Sequence, residues 1–272
     1  MVIYGKALAS AYVKLGPKPV LNDNKWKVIK QVADASQGPN YWAVGDRKSV
    51  VLNGSVGYGS LQATFNNTKY WVYIIGFDHN SAKEGKGIAF QGFKTAQTGG
   101  VDVCVVTNNY ASSSDIGRGM IMNTSATTSG GWNGSVAYTQ IMPQWKNCFP
   151  SDLQAAIKST TLYTDDVGGG STAASNVKAS GNEVYYLAEY EVFGVQKYAN
   201  ANESAQQQQY AYYKAGNSKV KYRSDSTSTT ASWWLRSPNV KYGMNFLTVG
   251  FNGSYNWDYA NRSNGSAPCF KV

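Results

Sequence analysis

Apolar residues along this chain come mostly in short runs of strand length, with few helical stripes. Trp26-Lys27-Val28-Ile29, Val50-Val51-Leu52, Tyr70 to Phe77 and Gly87 to Phe90 are rich in β-branched and aromatic side chains and punctuated by Gly and Asn, which predicts short strands. Val184 to Ala188 reads as another strand, followed by a connection, Glu189 to Phe193, that ends at Gly194. Lys219-Val220-Lys221-Tyr222-Arg223 alternates charged residues with Val and Tyr, as one strand face requires. The helical period surfaces in the middle of the chain. Ile141, Trp145 and Phe149 are spaced by four, with Pro143 suited to a first turn. A second helix is predicted from Ser151 as N-cap, with Asp152 in its first turn and Leu153, Ala156 and Ile157 on its buried face. A third is predicted over Ser204 to Lys214, bounded by Asn202 and Gly216. Thr164 to Thr172, with its Asp pair and Gly run, reads as an exposed loop. Residues 1–24, closed by Gly16-Pro17-Lys18-Pro19, read as an extended arm, and 25–272 as one domain. Many strands and few helices define an α+β chain built on twisted antiparallel sheet.

The segment from Ser232 to Val272 departs from this pattern. It opens with Trp233-Trp234-Leu235-Arg236, an apolar stub that belongs in a core because each indole brings a large apolar area and one N–H needing a partner. From Asn239 to Gly265, isolated apolar residues such as Phe246 and Val249 sit among Asn, Tyr, Ser, Gly, Asp and Arg. Asn-Gly pairs mark turns between short strands. The Tyr-, Ser-, Asn- and Gly-rich mixture also suits a recognition surface, since Tyr and Trp give contact area at low entropic cost.

Charge and chemistry narrow the choice. Among 272 residues only 15% are charged, so surface polarity comes from Asn, Ser, Thr and Gln. The net charge of +9 invites a nucleic-acid partner, but Lys and Arg are dispersed and form no patch, which argues against one. A milder preference for acidic surface glycans is compatible with it. Cys104, Cys148 and Cys269 lie far apart without CxxC spacing and read as buried thiols, so neither zinc nor a disulfide framework is expected. No run is long enough to cross a bilayer, and Met1 to Leu15 lacks the apolar centre of a signal peptide. His79 is the single histidine, and Asp78 to Glu84 reads as a structural turn without the spacing of a calcium loop. No Gly-x-Ser-x-Gly elbow is present. Glu189 and Glu191 lack the setting of a hydrolytic pair and are expected to accept hydrogen bonds from backbone or from a buried Arg such as Arg236. No catalytic residue, metal or cofactor is therefore expected.

Several motifs occur together: Gly45-Asp46-x-Lys48-x-Val50-x-Leu52-Asn53-Gly54, Ile74 to His79, Glu189-Tyr190-Glu191-Val192-Phe193-Gly194, Trp233 to Pro238, Phe246, Asn252-Gly253-Ser254 and Ala267-Pro268-x-Phe270. As a set they resemble a domain family of phages and gut bacteria that looks like the C-type-lectin-fold variable proteins targeted by diversity-generating retroelements, the class of phage tropism determinants. The resemblance implies a C-type-lectin-like fold and a non-enzymatic virion adhesin that binds a bacterial surface protein or glycan. It implies a phage tail, baseplate or capsid location after synthesis in the host cytoplasm, docking on other virion subunits through the arm, and a homo-oligomer. Its alternatives are a structural decoration or baseplate component, or a bacterial surface glycan-binding domain. In such proteins Asn codons are substituted at their adenines, which marks Asn239, Tyr242, Asn245, Asn252, Tyr255, Asn256, Asp258, Tyr259, Asn261, Arg262 and Asn264 as an outward ligand face over 239–264, while Lys241, Met244 and Trp257 fall outside the substitution pattern. Within that face the aromatics Tyr255, Trp257 and Tyr259 are expected to contribute most to binding.

Overall fold

A computed structural model describes residues 16–111 and 114–272; most of the predicted arm lies outside them. Residues 16–24 are anchored at a few points: Leu21 is buried, Trp42 Nε1 donates to Lys18 O at 3.1 Å, and Lys48 Nζ donates to Asn24 O at 2.6 Å.

Trp26–Asp34 forms a helix, α1, and not the predicted strand. The reason is legible in the burial of Trp26, Ile29, Val32 and Ala33, a spacing that only a helix places on one face. That face lies on Phe90 and Phe270, whose ring centres stand 5.3 Å and 6.0 Å from the indole of Trp26.

The strands beneath it follow the predicted runs. β1 (Arg47–Val56) pairs antiparallel with the long β2 (Ala63–Phe77), the short helix α2 (Ser81–Glu84) turns the chain, and β3 (Ile88–Lys94) returns along β2. β4 (Val103–Cys104) leaves this sheet. The middle helical signal is met by a wide turn at Ala137–Ile141 running into α3 (Met142–Cys148), which buries Trp145 against Phe65 and Phe93. α4 (Ser151–Gln154) follows, capped by Pro150, so Ser151 is its first helical residue and not its cap.

β5 (Thr160–Asp165) and β6 (Val177–Asn182) form a hairpin, so Thr164 and Asp165 are buried strand residues and the predicted loop begins after them. β7 (Val184–Tyr185) leads into α5 (Glu189–Phe193), a helix where a plain connection was expected. Glu191 at its third position accepts from the Ala188 N–H, and Gly194 ends it at φ +69°, where a glycine is least strained. The predicted third helix over Ser204–Lys214 is met only by its last turn, α7 (Ala211–Lys214); α6 (Ala201–Ser204) precedes it, overlapping at Ser204 alone, and 205–210 are not helical. Between them Tyr210 N donates to Glu191 O and Gln209 Nε2 to Val192 O, tertiary bonds that draw this backbone out of a helical path.

β8 (Lys221–Arg223) and β9 (Ser226–Ala231) form a hairpin that β4 joins in parallel. Then β10 (Trp233–Pro238), β11 (Asn245–Val249) and β12 (Tyr255–Tyr259) make a separate antiparallel sheet in that order. β13 (Cys269–Lys271) inserts between β3 and β7 and completes a five-stranded sheet of order β1-β2-β3-β13-β7. The architecture is α+β, with largely antiparallel sheets and few helices. No helix among the described residues is long and apolar enough to cross a membrane.

The Trp stub is core, as expected, and every fully buried indole has its partner: Trp132 at Asn182 Oδ1, Trp145 at Ser266 Oγ, Trp233 at Lys219 O and Trp234 at Met120 O. Cys104, Cys148 and Cys269 are buried free thiols, and burial pushes Cys148 up to about 11.

Candidate ligand-binding face

β10 and β11 are buried along their whole length, whereas β12 is the edge strand and its residues stay partly exposed. The β11–β12 turn is built by Asn252-Gly253: Asn252 Oδ1 accepts from Ser254 N and Ser254 Oγ, and Gly253 sits at φ +82°. A strand points successive side chains to opposite sides, so the predicted ligand set divides. Tyr255, Trp257 and Tyr259 lie on one face of β12, and Asn256 and Asp258 on the other.

On the aromatic face the rings form a continuous series. Phe193 stacks on Tyr255 at 3.8 Å between ring centres, Tyr198 meets Trp257 edge-on at 4.8 Å, and Tyr242 lies 5.9 Å from Trp257. Tyr242 is 50% and Met244 48% exposed, and Val195, which accepts from Tyr255 Oη, 61%. Lys197 Nζ stands 4.9 Å from the Tyr198 ring centre and 5.1 Å from that of Tyr255, and Lys219 Nζ 5.7 Å from that of Phe193. Neither lysine has an ion-pair partner among the described residues.

Three predicted ligand residues do not face outward. Asn239 is fully buried and its Oδ1 accepts from Lys241 N, a turn-forming role. Asn245 is buried at the start of the central strand β11. Asn264 is buried and donates to Asp258 Oδ2 at 2.9 Å. Asn252 is exposed at the hairpin turn, Asn256 and Asn261 are partly exposed, and Arg262 pairs with Asp258 at 3.3 Å while lying over Tyr259. The residues that sequence reasoning missed are Phe193, Val195, Lys197, Tyr198 and Lys219. The stretch Phe193-Gly194-Val195-Gln196-Lys197-Tyr198 carried a signal, being aromatic, Gly-containing and positioned between helices.

Buried carboxylates hold that missed loop in place. Glu189 accepts backbone N–H groups of Lys197, Tyr198 and Ala199 at 2.8–3.1 Å, and Tyr255 Oη donates to Val195 O at 3.2 Å. Burial raises the Glu189 carboxyl, and these donors only partly offset the rise. Next to it Glu191 forms a two-pronged pair with Arg236, both fully buried; Arg236 Nη1 also donates to Tyr186 O at 2.8 Å. Burial pushes Glu191 up, but the charge and hydrogen bonds of Arg236 together with His79 and the Ala188 N–H outweigh it, and the net shift is downward. The sequence expectation for this Glu pair is met on both counts: Glu189 takes backbone donors, Glu191 takes Arg236.

Further inside, Lys271 Nζ donates to Glu84 Oε2 at 3.2 Å and to the carbonyls of His79 and Gly85. His79 stacks on Tyr210 at 3.6 Å, and burial lowers it to about 4. Its Nε2 lies 3.6 Å from Glu84 Oε1, and single ligand atoms of His79, Glu84 and Glu191 fall within 4.8 Å of one another. These are metal-ligating residue types, but Lys271 and Arg236 already neutralise both carboxylates, so a divalent ion would enter against two fixed positive charges. The cluster reads as interior framework.

The geometry thus defines an α+β domain that presents an edge-strand hairpin with an aromatic, cationic-rimmed face. The chain belongs to the family described as Domain of unknown function (DUF6273), which matches residues 102–272 and so contains this sheet, the α5–α6 loop and β13. No curated protein and no solved structure matches the chain.

Proposed function

We propose that this protein is a non-enzymatic recognition module that binds its target through the aromatic face of β12. The observation that carries the reading is the half-exposed ring series of Tyr242, Trp257 and Tyr255, joined by Phe193 and Tyr198 and rimmed by Lys197 and Lys219, with Tyr259 exposed on the same strand face under Arg262. Rigid aromatics with exposed aliphatic neighbours and cations at the rim are the composition of binding hot spots. The motif resemblance supports placing such a module on a phage virion as an adhesin for the bacterial surface, with a C-type-lectin-like arrangement of the hairpin sheet. It likewise supports docking on other virion subunits through residues 1–24 and assembly as a homo-oligomer.

The test replaces Tyr255, Trp257 and Tyr259 together by Ala and measures attachment of the purified protein to host cells alongside thermal unfolding. Attachment is expected to fall by about 2 kcal/mol or more of binding energy, with the fold retained. A folded triple variant that attaches as before overturns the adhesin reading in favour of the structural virion component.

A further inference from the structure

The sheet β10-β11-β12 ends at β12, and its register fixes which backbone groups of that strand face outward. Gly250 N donates to Ser254 O and Ala260 N to Met244 O, so Asn256 and Asp258, which alternate with them, direct their N–H and C=O to β11. The N–H and C=O of Tyr255, Trp257 and Tyr259 therefore point away from the sheet. At Tyr259 both are taken within the chain, the N–H by Asp258 Oδ1 at 2.8 Å and the C=O by Arg262 N at 2.9 Å. At Tyr255 and Trp257 neither backbone group has a partner among the described residues. We propose that this open edge is completed by an extended acidic segment of a partner polypeptide, which adds a strand to the sheet. The proposal rests on the aromatic-face reading above and specifies the partner of that site.

An open edge alone selects no partner. The outer strands β1, β6 and β9 contain no aromatic residue and offer little beyond main-chain bonds. On β12 the residues with open backbone groups also carry the rings of the recognition face. A strand added there bonds the backbone of Tyr255 and Trp257 while laying alternate side chains beside their rings. The open stretch spans about 7 Å at strand rise, so a docked segment of about three to five residues suffices.

Charge sets the occupant. Lys197 Nζ stands over the Tyr255 ring at 5.1 Å and Lys219 Nζ over Phe193, which stacks on Tyr255, so both cations flank one end of the edge. Neither has an ion-pair partner among the described residues. A second copy of this chain, with its net charge of +9, would bring the same lysines towards one another, whereas a carboxylate-bearing strand supplies the missing counter-charge.

The experiment is residue-resolved amide hydrogen exchange of the full chain by NMR, with a blocked heptapeptide of valine, threonine and two glutamates as the probe. Binding at about millimolar concentration or below is expected. Protection should rise at the amides of Tyr255 and Trp257 and change little at Asn256 and Asp258, whose N–H groups already bond to β11, an alternation that side-chain docking alone does not produce. The same peptide with lysines in place of glutamates should bind about tenfold more weakly, as should the glutamate peptide to a chain carrying Lys197→Gln and Lys219→Gln. The proposal is overturned by absence of binding, by equal binding of the lysine peptide, or by binding without protection at Tyr255 and Trp257. Protection of those amides in the free chain that fades on dilution also overturns it, assigning the edge to a second copy. Cell attachment separates this failure from that of the underlying reading. If the peptide does not bind while the unaltered chain attaches to host cells and the triple Ala variant does not, the aromatic face stands and strand addition alone falls.

Discussion

Arg236 and Tyr242 sit a few residues apart on one polypeptide, yet their environments invert the usual assignment of charge and hydrocarbon. Arg236 is fully buried in β10, and Tyr242 is half exposed beyond it. The interior around Arg236 also encloses Glu191, Glu203 and Lys271, while Tyr242 lies against the partly exposed Trp257, and Met244 and Val195 are exposed as well. The two regions differ in how the cost is offset. Each buried charge has partners: Glu191 for Arg236, Glu84 for Lys271, Ser237 and Gln207 for Glu203. The exposed aromatics touch one another, but their outer faces meet water. Apolar exposure at Tyr242, Met244 and Val195 is therefore the feature that the fold does not explain, and it is the ground on which the proposed binding surface rests.

The largest effect is expected from unbalancing the interior. Arg236→Leu leaves Glu191 buried without its counter-charge and should cost about 3–5 kcal/mol in denaturant unfolding. Adding Glu191→Leu should recover most of that loss, because two apolar groups replace a pair whose desolvation was already expensive. A double variant as unstable as the single one would show that Arg236 acts mainly through Tyr186 O and not through charge balance.

A smaller effect concerns pH. Burial holds the Glu203 carboxyl up at about 7 against an ordinary 4.5, and Ser237, Arg236 and the Asp165 N–H only partly counter it. The folded chain thus keeps a proton that the unfolded chain releases. This stabilisation is complete below pH 4.5 and is lost as pH rises through about 7. His79 has the opposite sign: its folded value of about 4 lies below the ordinary 6.5, so its contribution is present above 6.5 and lost as pH falls towards 4. Glu84, also raised by burial to about 7, acts in the same direction as Glu203, so His79 offsets only one of the two carboxyls, and stability should decline between about pH 4.5 and 7, most steeply from 6.5, where the His79 offset ends. Glu203→Gln should reduce that decline by on the order of 1–3 kcal/mol across the transition. An unaltered pH profile in the Gln variant would place the proton elsewhere.

The same contrast governs what the sequence made legible. Core elements announced themselves: the four-residue spacing of Ile141, Trp145 and Phe149, the β-branched runs of β1 to β3, and the Trp233-Trp234 stub all fall where periodicity and apolar area put them. Trp26–Asp34 misled because Val28 and Ile29 carry strand propensity, while the helical spacing emerges only when Val32 and Ala33 are counted. The break between α6 and α7 depends on bonds to α5, which no local pattern encodes. For the site, the hairpin was legible but its division was not. A single ligand face over 239–264 overlooks strand alternation, which sends Asp258 away from Trp257, and overlooks the loop at 193–198, which Glu189 holds in place while Phe193, Val195 and Tyr198 meet Tyr255 and Trp257.

The smallest expected change in stability tests the surface half of the comparison. Tyr242 and Met244 are roughly half exposed, and the Tyr242 ring lies 5.9 Å from that of Trp257 outside the buried core. Replacing both by Ser removes apolar area that water already reaches, so unfolding free energy should stay within about 0.5 kcal/mol for each substitution. Attachment, by contrast, should weaken, because the ring series loses its outer end where a partner would exclude water. If the double variant instead loses stability on the scale of Arg236→Leu, those side chains belong to the fold, and the exposed aromatics of β12 would need the same structural explanation as the charges beneath them.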